Sequence, residues 1–283
     1  MVTWSSLGCS VIGASHQKRN IENQDAVNCG NIPELGIVFV AAADGHGSKK
    51  YIRSSTGSAL AVNTLEVILK DCTPLHLGMQ DIDSYVRHIK SRFLLTWQQC
   101  VDATLQQLPF SVDEKAFLQE HCSEKDINGI EDNPRIAFGC TFLCAVSYND
   151  VVLILHHGDG DVLGLYDGDT LAQDIVVSDS RNFAGNTLSL GSLSDASEIG
   201  HRILTKEHIP KLITISTDGI KNSYNDKIST EIEQFYKIPV AIKHELSKRE
   251  DIEQDLSALL QKITNNGSGD DVTIGILYKK ETT

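Results

Sequence analysis

Apolar residues along this chain gather in two kinds of run. Short runs bounded by Gly, Asn, Asp or Pro predict strands near residues 7–13, 36–43, 137–147, 150–157, 161–166 and 173–178. Two later strands are predicted from Lys211 to Ser216 and from Val272 to Tyr278. The run 150–157 is continuous and follows the turn Tyr148-Asn149-Asp150, so a hairpin with 137–147 is expected. Longer stretches repeat at three and four residues and predict amphipathic helices. Residues 53–70 carry Leu60, Val62, Leu65, Ile68 and Leu69, and residues 81–108 carry Ile82, Val86, Ile89, Phe93, Trp97, Val101, Leu105 and Leu108. A third helix is predicted near 250–263.

The intervening segments carry less signal. Residues 110–135 are polar and read as a helix end followed by an exposed loop. Residues 179–210 are rich in Gly and Ser and connect two strands. Neither has the composition of a linker, so residues 1–283 read as one domain. Alternating strands and helices fit either an α/β or an α+β fold.

Composition narrows the classes. With 41% hydrophobic and 22% charged residues the chain is ordinary for a globular protein. The apolar runs are too short for a membrane span, and no signal peptide is evident, so a cytoplasmic protein is expected. The net charge of −13 argues against a nucleic-acid partner, which would require a basic patch. The seven cysteines include no Cys-x-x-Cys pair and read as reduced thiols, mostly buried.

Candidate chemistry lies where the strands end. Asp25, Asp44, Asp159, Asp218 and Asp270 each stand at the edge of an apolar run. Taken singly, each is an ordinary turn residue, because Asp-Gly is a common turn pair. Converging carboxylates would repel one another and raise each other's pKa unless a cation neutralised them. All-oxygen sites of this kind suit Mg²⁺ or Mn²⁺.

The turns occur in a specific order: Asn23-Gln24-Asp25, Asp44-Gly45-His46-Gly47, Gly139-Cys140-Thr141, Gly158-Asp159-Gly160, Thr217-Asp218-Gly219 and Asp270-Asp271-Val272-Thr273. This series resembles the metal-dependent serine/threonine protein phosphatases of type 2C, over almost the whole chain and closest to compact bacterial-type members. The resemblance implies an α+β fold, a four-layer α-β-β-α sandwich of two mostly antiparallel sheets. It implies hydrolysis of phosphoserine or phosphothreonine in a phosphorylated protein partner, by water activated between two divalent ions. Asp44, the Gly45 carbonyl, Asp218 and Asp270 match the metal ligands, and Asp159 matches a ligand of a weaker third ion. Asp25 matches a residue that positions the attacking water, and His46 matches the general acid, its proton expected to be held by nearby carboxylates.

Two positions depart from the family pattern. The phosphate-holding arginine is expected five residues before Asp25, where Asn20 stands, so Arg19 is the candidate clamp, with Lys18 as its alternative. Asn222 replaces an acidic residue that serves the third metal. Asp161 reads as a solvent-facing turn residue, with a ligand of the third ion as its alternative, and at least one of His156 and His157 is expected to point into a sheet. No Cys-x₅-Arg loop is present, which argues against a cysteine-dependent phosphatase. Two other readings are a non-catalytic phosphoprotein-binding module of the same fold and a metal-dependent hydrolase of a small phosphate ester.

Overall fold

The computed structural model describes residues 3–71, 82–176, 187–224, 229–249 and 251–280. Its organising strand is β3 (Ile37–Ala43), in which every residue is buried. Side chains alternate faces along a strand, so β3 must meet an apolar partner on each side. Ile37, Phe39, Ala41 and Ala43 join a core with two helices, α2 (Ser54–Asp71) and α3 (Ile82–Gln107). Val38, Val40 and Ala42 face a second core instead. Strands β4 (Phe142–Tyr148) and β5 (Val151–His157) divide in the same way. Phe142, Cys144, Val146, Leu153 and Leu155 go to the helices, whereas Leu143, Ala145, Val152 and Ile154 go to the second core.

That second core lies between two sheets. The first has the order β2 (Ala26–Ile32), β3, β4, β5, β8 (Gly200–Thr205). The other has the order β1 (Trp4–Val11), β10 (Val272–Lys279), β9 (Leu212–Ser216), β6 (Asp161–Leu165), β7 (Gln173–Asp174). Every pairing in both is antiparallel. Ile213, Ile215 and Leu277 fill the gap from the second sheet. Its outer face, with Leu212, Val272, Ile274 and Ile276, packs against α7 (Ser229–Leu246) and α8 (Glu253–Asn266). The layers therefore run helix, sheet, sheet, helix: the expected α+β sandwich. Each fully buried Ile, Leu or Phe contributes about 1.5–3 kcal/mol, and this burial on both faces holds the layers together.

The hairpin of β4 and β5 is present, and the stripe of α3 buries Val86, Ile89, Phe93, Trp97 and Val101. Trp97 also ties the two helices, donating from Nε1 to the Gly57 carbonyl at 3.1 Å. Several boundaries differ from the sequence reading. Residues 110–135 are not a loop: α4 (Val112–His121) and α5 (Glu124–Asp132) occupy them. Only Leu118 and Ile130 of these helices are buried, so no apolar stripe announces them. Their caps do. Ser111 Oγ accepts from Glu114 N at 3.1 Å while Glu114 accepts from Ser111 N at 2.7 Å, and Ser123 accepts from Asp126 N at 3.2 Å.

The strand expected from residue 137 starts at Phe142, because Pro134 opens a 3₁₀ turn through Phe138. The strand expected at 173–178 is two residues long, and residues 177–178 lie outside the described residues. Among the described residues five elements had no prediction: α1 (Ala14–Arg19), β2, β8, α6 (Asp218–Asn222) and α7. The strands β2 and β8 are sheet edges, where polar side chains are tolerated. Asn28 of β2, for instance, donates to Asn63 and Glu66 of α2. Pro239, inside α7, masks that helix in the sequence.

Candidate metal and phosphate site

Antiparallel register decides where the aspartates lie. Ala26 pairs with Ala43, so Asp25 and Asp44 flank the same end of the first sheet. Ala42 pairs with Leu143 and Phe142 with His157, which brings the turn at Asp159 to that end. Ser216 pairs with both Asp161 and Ile274, so Asp218 and Asp270 leave the second sheet beside it. Asp44, Asp159, Asp218 and Asp270 thus border one polar cleft of about 310 Å³. His46, Lys50, Tyr51 and Thr187 complete its polar wall.

The first motif is clamped between two strands. Asp44 N donates to Thr141 Oγ1 at 2.9 Å, Thr141 N donates to the Asp44 carbonyl at 2.8 Å, and His46 N donates to the Gly139 carbonyl at 3.2 Å. The Gly139-Cys140-Thr141 element is therefore the backbone mate of Asp44-Gly45-His46. Gly45 N donates to the Gln24 carbonyl at 3.1 Å, and a Cβ at Gly45 would meet that oxygen at 2.5 Å and the Ser54 backbone at 3.0 Å. Gly45→Ala is expected to cost about 1–3 kcal/mol, because backbone atoms cannot move aside as side chains can. A thermal melt checks this; an unchanged midpoint would contradict the packing argument.

Asp25 lies beneath the cleft rather than in its wall. Its Oδ2 accepts from Thr217 Oγ1 at 2.8 Å, and Thr217 Oγ1 in turn accepts from Thr273 N at 3.1 Å. The polar chain continues through Thr273 Oγ1, which donates to Ser10 Oγ at 2.7 Å, and Asn23 Nδ2, which donates to the same oxygen at 2.8 Å. These hydroxyls tie the two sheets under the aspartates, a function that the sequence reading did not give them. Thr217 and Thr273 stand beside Asp218 and Asp271 in the two late motifs, which was the available signal.

The carboxylates repel one another. Burial pushes the Asp44 carboxyl well above its usual pKa, and Asp25, Asp218, Asp270 and Asp159 push it further. Burial, then Asp159 and Asp270, push Asp218 to about 6. Burial likewise raises Asp25 well above the usual range; the hydrogen bonds of Thr273 and Thr217 oppose it, and Asp271 and Asp270 add to it. Such a cluster is costly by itself and favourable around a divalent cation, and its donors are all oxygen. Among the described residues no group of three or more His, Cys, Asp or Glu is already drawn together as a metal cage. The fit is therefore one of charge and donor chemistry.

Three expectations change. His46 lines the cleft, but its pKa falls to about 4 instead of rising: desolvation outweighs the attraction of Asp159, and His157 and Lys50 add to the fall. Its Nε2 is buried with no hydrogen-bond partner among the described residues, and its ring lies 4.7 Å from that of Tyr51. Asp161 is not solvent-facing: it is 6% exposed and pairs with Lys221 Nζ at 2.5 Å. Arg19, the expected phosphate clamp, is the last residue of the helix α1. It is exposed, donates back to Ser15 O at 3.1 Å and Ser15 Oγ at 3.3 Å, and does not line the cleft. His157 is the inward member of its pair, 3% exposed. Asn222 donates to Asp218 Oδ2 at 2.9 Å, and Thr187 donates to Asp159 Oδ2 at 2.6 Å.

A sequence model described as protein phosphatase 2C matches residues 12–261, and the chain belongs to that family. No curated protein sequence matches it significantly. Among solved structures, a bacterial serine phosphatase superposes with a TM-score of 0.59 at 14% identity, covering 99% of this chain and 98% of that one. The catalytic domain of the serine threonine protein phosphatase PstP, in complex with 2 manganese ions, gives 0.58 at 16%, covering 99% and 100%. Stp1 from Staphylococcus aureus gives 0.59 at 14%, covering 100% and 96%. Among the described residues no helix is long and apolar enough to cross a membrane.

Proposed function

We propose that this phosphatase hydrolyses phosphoserine and phosphothreonine in proteins, using two divalent cations, Mg²⁺ or Mn²⁺. One observation carries the reading: Asp44, Asp218 and Asp270, from three distant stretches of chain, border one cleft in which Asp44 and Asp218 have raised pKa values. These three and the Gly45 carbonyl would hold the ions, and Asp159 would serve a weaker third. When bound, the ions supply Lewis-acid polarisation of the phosphoryl oxygens and activation of water.

The chain's own groups do the rest. Asp25, fixed by Thr217, accepts from the attacking water and orients it. His46 would give a proton to the leaving serine or threonine oxygen, with Asp159 favouring the imidazolium that desolvation disfavours. Gln24, next to Asp25, donates from Nε2 to Ser54 Oγ at 2.8 Å.

The direct test is phosphate release from phosphoserine, phosphothreonine and small-ester substrates, with Mg²⁺, with Mn²⁺ and after chelation. Activity on the phosphopeptides that vanishes on chelation is expected; preference for a small ester would overturn the protein-substrate reading. His46→Ala is expected to slow phosphoserine peptides by roughly 10²–10⁴-fold and an activated aryl phosphate far less, because an aryl oxide leaves without a proton. Equal losses on both would make His46 a structural residue.

A further inference from the structure

We propose that Lys50 holds the substrate's phosphate, the task that motif position assigns to Arg19. The proposal rests on the phosphatase reading above. A phosphomonoester entering a cleft bordered by four carboxylates needs a protein cation for the oxygens that the metal ions leave free. Among the described residues lining the cleft, Lys50 is the sole lysine or arginine. It comes from the loop directly after Asp44-Gly45-His46-Gly47, so the backbone pairing that fixes Asp44 and His46 also fixes the start of its own loop.

The neighbouring contacts separate the two lysines of Ser48-Lys49-Lys50. Lys49 Nζ stands over the Phe117 ring of α4, 5.4 Å from its centroid, and is absent from the cleft wall. Lys50 Nζ stands 5.1 Å from the Tyr51 centroid and 3.2 Å from Asp126 Oδ1 of α5. Its side chain is 30% exposed, enough to meet a ligand. Burial pulls the Lys50 ammonium down, but Tyr51 and Asp126 outweigh it, so the group stays charged. Asp126 and the Tyr51 side chain occupy two ammonium protons and leave the third for a phosphate. The helical pair α4–α5 thereby has a use at the site: Asp126 orients the lysine that faces the cleft.

The experiment is calorimetric titration of inorganic phosphate into the Mg²⁺-supplemented protein, which needs no turnover. Lys50→Ala is expected to raise the phosphate Kd by about 10- to 100-fold, the scale of one charged hydrogen bond. KM for a phosphopeptide should rise in parallel, with a smaller change in kcat. Lys50→Arg should restore most of the binding. Lys50→Met keeps the aliphatic stem over Tyr51 and serves if the alanine variant fails to fold. Asp126→Asn, which removes only the anchoring charge, should change Kd by roughly fivefold or less, the scale of an exposed ion pair. Unchanged phosphate affinity in Lys50→Ala or Lys50→Met overturns the proposal. So does an equal loss in Asp126→Asn, since Lys50 would then merely tether α5. A parent protein that binds no phosphate also overturns it. A parent protein that binds phosphate but releases none from esters overturns the enzymatic reading alone.

Discussion

Asp44→Asn is expected to abolish metal-dependent turnover and to melt at a higher temperature than the parent protein when both are free of metal. The two effects have one cause. Asp44 closes β3 at the mouth of the cleft, where burial and four other carboxylates raise its pKa. Asparagine keeps the shape and the backbone pairing with Thr141 while removing one of the repelling charges. That relieves the folded state. The same charge is what a divalent ion needs. Residues that merely orient metal ligands cost about 10–100-fold in affinity or activity when removed, and a direct ligand should cost more. Calorimetry with Mn²⁺ and paired thermal melts in chelator read both effects. A variant that binds Mn²⁺ as the parent does, or that melts lower without metal, would remove Asp44 from the proposed centre.

The sequence made the strand ends legible because they combine two strong signals. A fully buried strand such as Ile37–Ala43 is an unbroken apolar run, and a turn must end it in polar residues. The order of those turns carried the family. Elements held by polar contacts were not legible. The strand Ala26–Ile32 shows no apolar alternation, because Asn28 spends its side chain on α2. The helices α4 and α5 bury one large side chain each and are fixed by caps and by ion pairs. Arg53 donates from Nε to Glu114 Oε1 at 2.7 Å, and holds the Glu114 carboxyl down at about 2.

Charge at the site was legible in number but not in sign of effect. Counting aspartates around His46 predicts a raised pKa, yet dehydration is larger than their attraction and the value falls to about 4. Residue spacing could not show how far His46 sinks into the wall. The same limitation applies to Arg19 and Lys50. Spacing from Asp25 selects Arg19, but α1 places it on an exposed helical surface, bonded back to Ser15. Lys50 has no motif of its own and enters the cleft only because its loop follows β3.

The doublet Asp270-Asp271 shows how adjacent identical residues divide between function and fold, and it yields the largest expected loss of stability. Asp270 has a side chain 52% exposed and lines the cleft; that of Asp271 is 3% exposed. Asp271 Oδ1 accepts from Gly13 N at 2.6 Å, Oδ2 accepts from Gln24 N at 2.7 Å, and His16 Nδ1 lies 3.0 Å from Oδ1. One buried carboxylate thus fastens the end of β1, the helix α1 and the entry to β2 onto the start of β10. Asp271→Ala would strand these donors without water, at about 1–3 kcal/mol for each buried donor left unpaired. For the two backbone donors that is a total of about 2–6 kcal/mol, or a midpoint lower by roughly 4–24 °C at 2–4 °C per kcal/mol. Asp271→Asn should do little better, because its amide nitrogen would face a backbone N–H in place of an acceptor. Asp270→Ala should show the opposite profile, weakening Mn²⁺ binding and turnover while its stability without metal stays within about 0.5 kcal/mol of the parent, as for exposed positions. Thermal melts and Mn²⁺ titrations of the two alanine variants side by side decide the matter: equal midpoints would mean that Asp271 does not fasten the sheets, and equal Mn²⁺ affinities would mean that Asp270 holds no ion.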